Sequence, residues 1–310
     1  MSSRLPATLI GGYLGAGKTT LVNALLRGAD GRRLAVLVND FGELPIDADL
    51  IEAREGNLLS ISGGCICCSF GSDLIAAIME LRAADRPIDH LLIETSGVAL
   101  PATIAQSLQL IPDIDVNGIV VLADAECVRD RAADRYMGDT VLAQLAAADI
   151  IVLNKVDLIS PEQTSATTAW LKQVAPRARL LPARRANLPP ELILTRQDEQ
   201  TKGRFFASGH DTAQLATVGF EIDGNGDPEA LAQALADASL HLLRVKGIVR
   251  DRHGALVAVH VMGRRASVEP APRAVQGPGR LVCIGLAHEI DAKAVVDAIA
   301  ARPPFAARIV

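Results

Sequence analysis

Hydrophobic runs alternate with helix-like segments through the first 180 residues of the chain. Six short apolar runs predict strands, at 7–11, 34–39, 57–61, 89–94, 116–123 and 149–153. Five longer stretches predict helices, near 18–28, 72–84, 101–110, 137–148 and 161–175. Runs such as 119–122 and 150–153 do not alternate with polar residues, which is typical of strands covered on both faces. The pattern therefore predicts an α/β fold with a mainly parallel sheet and helices on both faces.

The pattern changes after residue 182. Prolines and polar residues dominate 182–213 and predict a connection between domains. Beyond it, strands are predicted at 216–222, 241–250, 255–262 and 281–286, and helices at 228–238 and 291–301. Residues 252–254 predict a hairpin turn, and 264–280, with three prolines, predict a loop. We expect a first domain, a linker and a small α+β domain with a mainly antiparallel sheet, at 1–190, 191–213 and 214–310.

Composition narrows the class of protein. The chain has 310 residues, of which 49% are hydrophobic, so two well-formed cores are expected. A formal charge of −5 gives no reason to expect nucleic acid as a partner. No apolar run is long enough for a membrane helix, and the first residues lack a secretory signal, so we expect a cytoplasmic protein without membrane contact. Its five cysteines are then expected to be thiols or metal ligands.

Residues 12–19 read Gly-Tyr-Leu-Gly-Ala-Gly-Lys-Thr, the phosphate-binding pattern G-x-x-x-x-G-K-[ST] between a predicted strand and a predicted helix. Glycines let the backbone N–H groups surround a phosphate, and the helix N-terminus favours an anion. We expect Lys18 to act catalytically on the β- and γ-phosphates and the Thr19 hydroxyl to bind Mg²⁺. The expected nucleotide contacts of this segment are Gly12, Gly15, Ala16, Gly17, Lys18, Thr19 and Thr20. The alternative is a glycine-rich turn without a ligand.

Residues 154–157 read Asn-Lys-Val-Asp directly after an apolar strand, which matches the guanine-binding pattern N-K-x-D. The Asp157 carboxylate can accept hydrogen bonds from guanine N1–H and the exocyclic amine, a pair of donors that adenine lacks. We expect Asn154, Lys155 and Asp157 to contact the nucleotide. The alternative is a helix cap that matches the pattern by chance.

The buried strand 91–94 ends in Glu94, and Gly97 follows three residues later. Glu94 is expected to hold Mg²⁺, directly or through water, and the Gly97 amide to contact the γ-phosphate. The alternative role for Glu94 is to cap the next helix. After the second strand, Asp40, Glu43 and Asp47 surround a glycine, which suits either a mobile loop near Mg²⁺ or an ordinary surface turn.

Residues 63–68 read Gly-Gly-Cys-Ile-Cys-Cys, with three thiols within four residues. Thiolates bind soft or borderline metals such as Zn²⁺. One tight loop cannot easily supply four ligands, so Cys65, Cys67 and Cys68 predict an open, exchangeable site. The alternative is a buried turn without a metal. Cys127 and Cys283 lie in apolar contexts and are expected in the core.

Taken together, these motifs resemble those of the CobW-like GTPases, metal-linked relatives of the hydrogenase and urease maturation GTPases. The resemblance rests on five segments in the family's order, at 11–20, 39–43, 63–68, 94–97 and 154–157. It continues into the second domain, where 242–247 looks like the family's R-x-K-G strand and 281–285 like its closing strand. The Cys-x-Cys-Cys motif is the family's most specific mark.

The resemblance implies a P-loop NTPase domain followed by a CobW-type C-terminal domain. It also implies GTP hydrolysis coupled to handling of a metal, most often Zn²⁺ and in some branches Co²⁺ or Fe²⁺. The metal would be bound by Cys65, Cys67 and Cys68, with Glu43 as a further ligand. Asp40 stands where the family commonly has Glu, so its carboxylate reaches less far. Between the domains only His210-Asp211 replaces the His-rich tract of many members, so storage of several ions is not expected.

The first functional hypothesis is a GTPase that binds GTP or GDP and delivers one transition metal to a client protein whose identity the sequence does not give. GTP and metal would favour the same closed arrangement of the loops 39–47 and 63–68. A second hypothesis is a nucleotide-dependent metal sensor that docks a partner without delivery. A third, a small-molecule kinase, is disfavoured by the N-K-x-D motif. A second copy of the chain, as a homodimer, is a further candidate partner.

Overall fold

A computed structural model describes residues 4–29, 31–38, 58–62, 88–194, 215–271 and 278–310. The chain divides into two compact units, Met1–Arg196 and Gln197–Val310. The predicted helix at 72–84 lies outside the described residues. None of the helices in the described ranges combines the length and apolar character needed to cross a membrane.

The first unit is built on a parallel sheet. Its described strands are β1 Leu5–Gly12, β2 Leu34–Val38, β3 Leu58–Ser62, β4 His90–Glu94, β5 Ile114–Asp124, β6 Ile150–Asn154 and β7 Arg179–Pro182. Its described helices are α1 Lys18–Arg27, α2 Pro101–Gln109, α3 Val128–Ala132, α4 Gly138–Ala147 and α5 Pro161–Val174. The strands pair in the order β3-β2-β4-β1-β5-β6-β7, each pair parallel. The predicted fold class is confirmed for this domain.

Burial explains the unbroken hydrophobic runs of these strands. Every residue of β1, β2, β4 and β6 is buried. One face of the sheet shares a core with α2, α4 and α5, which contribute Ile104, Val141 and Leu171. The helix α1 contacts β1 and β4 and buries Leu21 and Leu25. A strand covered on both faces has no solvent side on which polar residues could alternate.

The second unit has a mainly antiparallel sheet. Its described elements are β8 Leu215–Asp223, β9 Asn225–Gly226, α6 Pro228–Leu235, β10 Leu242–Asp251, β11 Leu256–Met262, β12 Arg265–Pro270, β13 Gly279–Leu286, α7 Ala292–Ala300 and β14 Ala306–Ile309. The sheet order is β12-β11-β10-β13-β8-β14, and the short β9 pairs in parallel with β10. Phe220, Val245 and Leu281 share one core with Leu231 of α6 and Val295 of α7. The predicted α+β class is confirmed here.

The prediction of a loop over 264–280 was wrong for the first part of this segment. Residues Arg265–Pro270 form β12, which pairs with β11 from Met262↔Arg265 to Val257↔Pro270. Ala266 and Val268 pack against the core, so the segment does alternate. Pro270 is tolerated because β12 lies at the edge of the sheet, where one side of the backbone needs no ladder partner. The sequence patterns also missed β7 and β14, both of which are short edge strands of four residues.

Some helices begin with a capping side chain, whereas α1 begins directly after a glycine. α5 begins with a capping box, in which Ser160 Oγ accepts from Gln163 N at 3.2 Å and Gln163 Oε1 accepts from Ser160 N at 2.9 Å. In the second unit, Asp227 and Asp291 accept hydrogen bonds from the first turns of α6 and α7. The N-cap residue of α1 is Gly17, which has no side chain to cap the first turn. The N-terminus of α1 is therefore built differently from those of α5, α6 and α7.

Candidate functional site

Residues 13–17 form the phosphate loop and connect β1 to α1. All three glycines of the motif at 12–19 have positive φ, with values of 132° at Gly12, 78° at Gly15 and 104° at Gly17. At Gly17 a Cβ atom would also lie 2.6 Å from Asn154 Nδ2, so a side chain fits neither the backbone angle nor the space. Because Gly17, the N-cap residue of α1, has no side chain, the first-turn N–H groups of α1 can donate hydrogen bonds to an anion.

Thr19 and Glu94, which the sequence predicts to hold Mg²⁺, are in direct contact. The Thr19 hydroxyl donates to Glu94 Oε1 over 2.8 Å, although 75 residues separate them. The contact follows from the parallel pairing of β1 with β4, which sets Ile10 beside Glu94. Glu94 is 2% exposed, so its carboxylate is withdrawn from bulk water. The sheet thus brings both residues to one edge.

Lys18 is the first residue of α1 and is 8% exposed. Its Nζ lies 3.5 Å from the carbonyl oxygen of Tyr13, so the side chain folds back over the phosphate loop. Thr20 lies beside it on the first turn and is exposed. This position of the ammonium places its charge over the loop whose N–H groups would surround a phosphate.

Asn154, at the end of β6, is hydrogen-bonded to the phosphate loop. Its Nδ2 donates to the carbonyl oxygen of Ala16 over 2.9 Å, and its Oδ1 accepts from Ala186 N over 2.7 Å. Both ends of the amide are used within the protein, and Asn154 is 2% exposed. Asn154 was expected to contact the nucleotide, and in this structure its amide joins the phosphate loop to the loop after β7. Ala186 was not predicted, because its loop after β7 carries no motif.

Lys155 and Asp157 follow in a tight turn. Lys155 has φ 63°, and its Nζ donates to Asp124 Oδ2 over 2.6 Å. This hydrogen bond raises the pKa of Lys155, so the ammonium stays charged. Asp157 lies in the short 3₁₀ turn Val156–Leu158 and is exposed, so its carboxylate can accept from a ligand. Asp124, at the end of β5, was missed by the sequence analysis because a single acid at a strand end forms no motif.

Gly97 lies between the phosphate loop and α4. A Cβ at Gly97 would come within 2.6 Å of Leu14 Cδ2 and 2.8 Å of Leu14 N, so only glycine fits. On the other side, Gln144 Nε2 donates to the carbonyl oxygens of Gly97, over 3.0 Å, and Ala99, over 2.8 Å. Neither Leu14 nor Gln144 was singled out from the sequence. The segment after β4 is therefore held from both sides beside the phosphate loop.

Cys127 does not fit the prediction that it lies in the core. It is only half-buried and lines an apolar cleft together with Tyr13, Leu14 and Arg131. Burial, and secondly the charge of Asp124, raise the pKa of the Cys127 thiol. Cys283 is fully buried in the core of the second unit, as predicted, and burial raises the pKa of its thiol strongly.

The residues predicted to bind the transition metal or to form the switch loop are outside the described residues. They are Asp40, Glu43, Cys65, Cys67 and Cys68. Within the ranges that the structure describes, no three His, Cys, Asp or Glu side chains are grouped as a metal site. The geometry on hand therefore concerns the nucleotide half of the predicted function.

Comparison with known proteins covers both units. Residues 6–182, more than half of the chain, match the family model "CobW/HypB/UreG, nucleotide-binding domain". The chain belongs to the CobW/HypB/UreG family. Residues 215–301 match the model "Cobalamin synthesis protein cobW C-terminal domain". The resemblance drawn from the motifs is confirmed, and with it the pairing of a P-loop domain with a CobW-type C-terminal domain.

Individual members of the CobW/HypB/UreG family align with much of the chain. The protein named zinc chaperone CobW from Sinorhizobium sp is 29% identical over 96% of this chain and 97% of its own. Zinc-regulated GTPase metalloprotein activator 1 from Saccharomyces cerevisiae is 30% identical over 72% of this chain, and the match spans 56% of that protein. Among solved structures, Zn(II)-bound YjiA GTPase from E. coli is 21% identical, with a TM-score of 0.45, covering 97% of this chain and 99% of that one.

Proposed function

We propose that this protein is a GTPase that couples hydrolysis of GTP to the binding and delivery of a transition metal, with Zn²⁺ as the first candidate cargo. One observation carries the nucleotide half. The Thr19 hydroxyl of the phosphate loop and the Glu94 carboxylate of a neighbouring strand meet at 2.8 Å beside the uncapped start of α1. Family membership and the names of the aligned relatives support the metal half.

The phosphates of GTP would lie against the loop 13–17 and the first turn of α1. The backbone N–H groups there would donate hydrogen bonds to the phosphate oxygens, and the Lys18 ammonium would neutralise charge that develops on the β- and γ-phosphates. At Gly15 a Cβ would meet no atom of the described residues within 4 Å, which leaves room for a phosphate beside this part of the loop. Gly12, Gly17 and Thr20 complete the proposed cradle.

Mg²⁺ fits the donor set at this edge of the sheet. Hydroxyl and carboxylate oxygens are the ligands that this hard cation prefers, and Thr19 and Glu94 supply one of each. When bound, the ion would neutralise negative charge on the phosphate oxygens. The chain's own contribution is to hold Glu94 in place through the β1–β4 pairing and to keep it out of bulk water.

Guanine would be selected by Asp157, because its exposed carboxylate can accept from both guanine donors. Lys155 is held by Asp124, so the stem of its side chain has a fixed direction next to the base. Asn154 and Ala16 keep the base-reading turn beside the phosphate loop. The Gly97 amide is the proposed contact to the γ-phosphate.

The cargo metal would be bound by the thiolates of Cys65, Cys67 and Cys68. Glu43 is the proposed further ligand, and Asp40 is assigned to the same loop with a shorter reach. Zn²⁺ is favoured because the aligned relatives are named zinc chaperone and zinc-regulated activator, while Co²⁺ and Fe²⁺ share the same ligand preference.

The remaining parts of the proposal concern partners and organisation. A metal-dependent client protein would receive the ion, and a homodimer is a second candidate assembly. We place the protein in the cytoplasm.

We divide it into a GTPase domain, a linker and a C-terminal domain, at 1–190, 191–213 and 214–310. The compact units Met1–Arg196 and Gln197–Val310 support a boundary near this linker, although Leu192 and Leu194 are buried and lengthen the first domain slightly.

A titration with Co²⁺ tests the proposal. Wild type and a Cys65→Ala, Cys67→Ala, Cys68→Ala variant are titrated with and without GTP and Mg²⁺, and Cys127→Ala serves as the matched control. We expect thiolate charge-transfer absorption near one equivalent in wild type and in the control. GTP should shift the affinity by about 5- to 150-fold, and the metal should shift GTP affinity by the same factor.

Two outcomes would contradict the proposal. If the triple variant binds Co²⁺ as tightly as wild type, the three thiols do not bind the cargo. If wild type binds Co²⁺ and GTP changes nothing, the metal site stands and the coupling does not. Metal transfer to a client is then measured with and without GTP hydrolysis. Transfer only during hydrolysis indicates delivery, whereas docking without transfer indicates a sensor.

A further inference from the structure

Gln144 is a buried amide in a helix that otherwise packs through apolar residues. It lies on α4 and is 1% exposed, between Val141 and Leu145, which are buried in the core. Burying an amide costs free energy unless its hydrogen-bonding groups are satisfied. A residue of this kind at a core position therefore indicates that its hydrogen bonds matter.

Both hydrogen bonds of its amino group go to one short segment. Nε2 donates to the carbonyl oxygens of Gly97, over 3.0 Å, and Ala99, over 2.8 Å. Carbonyl oxygens accept only, so the amide orientation is fixed by chemistry and the NH₂ group must face them. Two bonds from one nitrogen to residues two positions apart fix the course of this segment as well as its distance from α4.

The same segment is fixed on its other side by the phosphate loop. Gly97 approaches Leu14 so closely that a Cβ would lie 2.6 Å from Leu14 Cδ2. At the end of β4, Thr95 N donates to the carbonyl oxygen of Ile10 over 2.9 Å, which continues the parallel pairing past Glu94. Gly97 is thus clamped between Leu14 and Gln144, three residues after the proposed Mg²⁺ ligand.

We propose that Gln144 is a positioning residue that presets Gly97 to meet the γ-phosphate, so that the protein discriminates between GTP and GDP. The inference rests on the proposed function, in which the Gly97 amide contacts that phosphate. GDP lacks the group that Gly97 would contact, so loss of the Gln144 hydrogen bonds should weaken GTP binding alone. A residue that served only stability would weaken both nucleotides or neither.

The test compares Gln144→Met with Leu145→Met. Methionine has about the length of glutamine without its donors, and Leu145→Met introduces the same side chain one position along without a polar change. Affinities for GDP and for a non-hydrolysable GTP analogue are measured by calorimetry, with turnover of GTP and thermal unfolding alongside. We expect Gln144→Met to lose about tenfold in affinity for the analogue and to keep GDP affinity within about twofold. Leu145→Met should keep the ratio of wild type.

A second variant decides the question if Gln144→Met does not fold. In Gln144→Glu a protonated carboxyl can donate one of the two hydrogen bonds, and an ionised carboxylate repels both carbonyl oxygens. The ratio of analogue to GDP affinity, relative to wild type at each pH, should fall as the pH rises from about 5.5 to 8.5. A ratio that equals that of wild type throughout would overturn the inference.

The outcomes separate this inference from the proposed function. If wild type hydrolyses GTP and a folded Gln144→Met binds both nucleotides like wild type, or loses both equally, Gln144 has no positioning role. If wild type neither hydrolyses GTP nor distinguishes it from GDP, the proposed function fails and the inference fails with it.

Discussion

The two units differ in how many carboxyl ends of strands their sheets bring to one edge. In the parallel sheet of the first unit, Thr19 contacts Glu94 across 75 residues and Asn154 contacts Ala16 across 138 residues. In the antiparallel sheet of the second unit, neighbouring strands end at opposite edges, so even a distant contact such as Arg308 with Glu221, 87 residues apart, does not gather several carboxyl ends together. A parallel sheet gathers the carboxyl ends of distant strands at one edge, whereas a hairpin joins sequence neighbours. Only the first arrangement combines separate motifs into one nucleotide site.

The largest effect is expected from Lys18→Ala, which removes the ammonium over the phosphate loop. Turnover of GTP should fall at least about a hundredfold, the order lost when one donor to the transition state is removed. Lys293→Ala, an exposed lysine on α7 of the second unit, is the control and should retain wild-type turnover. Thermal unfolding should be unchanged in both. Wild-type turnover in Lys18→Ala would show that the loop 13–17 is not the phosphate site.

The next effect concerns base selection. Wild type should prefer GTP over ATP by at least about tenfold, and Asp157→Asn should lose most of this preference because the amide can no longer accept from both guanine donors. Asp297→Asn changes an equally exposed acid in the second unit and should leave the preference intact. Calorimetry with both nucleotides measures the ratio. Equal affinities for GTP and ATP in wild type would refute the guanine assignment.

A pair of core substitutions sharpens the contrast between the units. Leu21→Ala on α1 and Leu231→Ala on α6 each remove a fully buried side chain and should lower the free energy of unfolding by about 2–5 kcal/mol. We expect only Leu21→Ala to weaken GTP binding, because α1 begins at the phosphate loop. If Leu231→Ala weakens GTP binding as much, the assignment of nucleotide binding to the first unit alone is wrong.

The smallest expected effect is a difference in thiol reactivity between Cys127 and Cys283, the two cysteines in the described ranges. In the variant that lacks Cys65, Cys67 and Cys68, the half-buried Cys127 should react slowly with a thiol reagent at neutral pH. Its raised pKa keeps the thiolate scarce, so the rate should increase as the pH rises. Cys283 should react only after unfolding, because burial raises its pKa strongly and excludes the reagent. Counting modified thiols by mass spectrometry before and after denaturation checks both. Two fast thiols in the folded state would contradict the described packing.

Much of this architecture could be predicted from the sequence, because the fully buried strands read as continuous apolar runs and the nucleotide motifs have fixed spacing. What was missed has two physical causes. Asp124 and Gln144 act through contacts that depend on tertiary structure, and neither belongs to a local pattern. The edge strand β12 was hidden by Pro270, since proline usually indicates a loop and is tolerated at an edge.

Asn154 limits how the base preference of this protein could be redesigned. Its amide joins the turn that would read the base to the carbonyl oxygen of Ala16 and to Ala186 N, so replacing it would loosen the phosphate loop as well. Asp157 is exposed in the turn Val156–Leu158. An engineer who wants a different nucleotide should therefore change Asp157 and keep Asn154, because Asn154 holds the phosphate loop that any nucleotide would use.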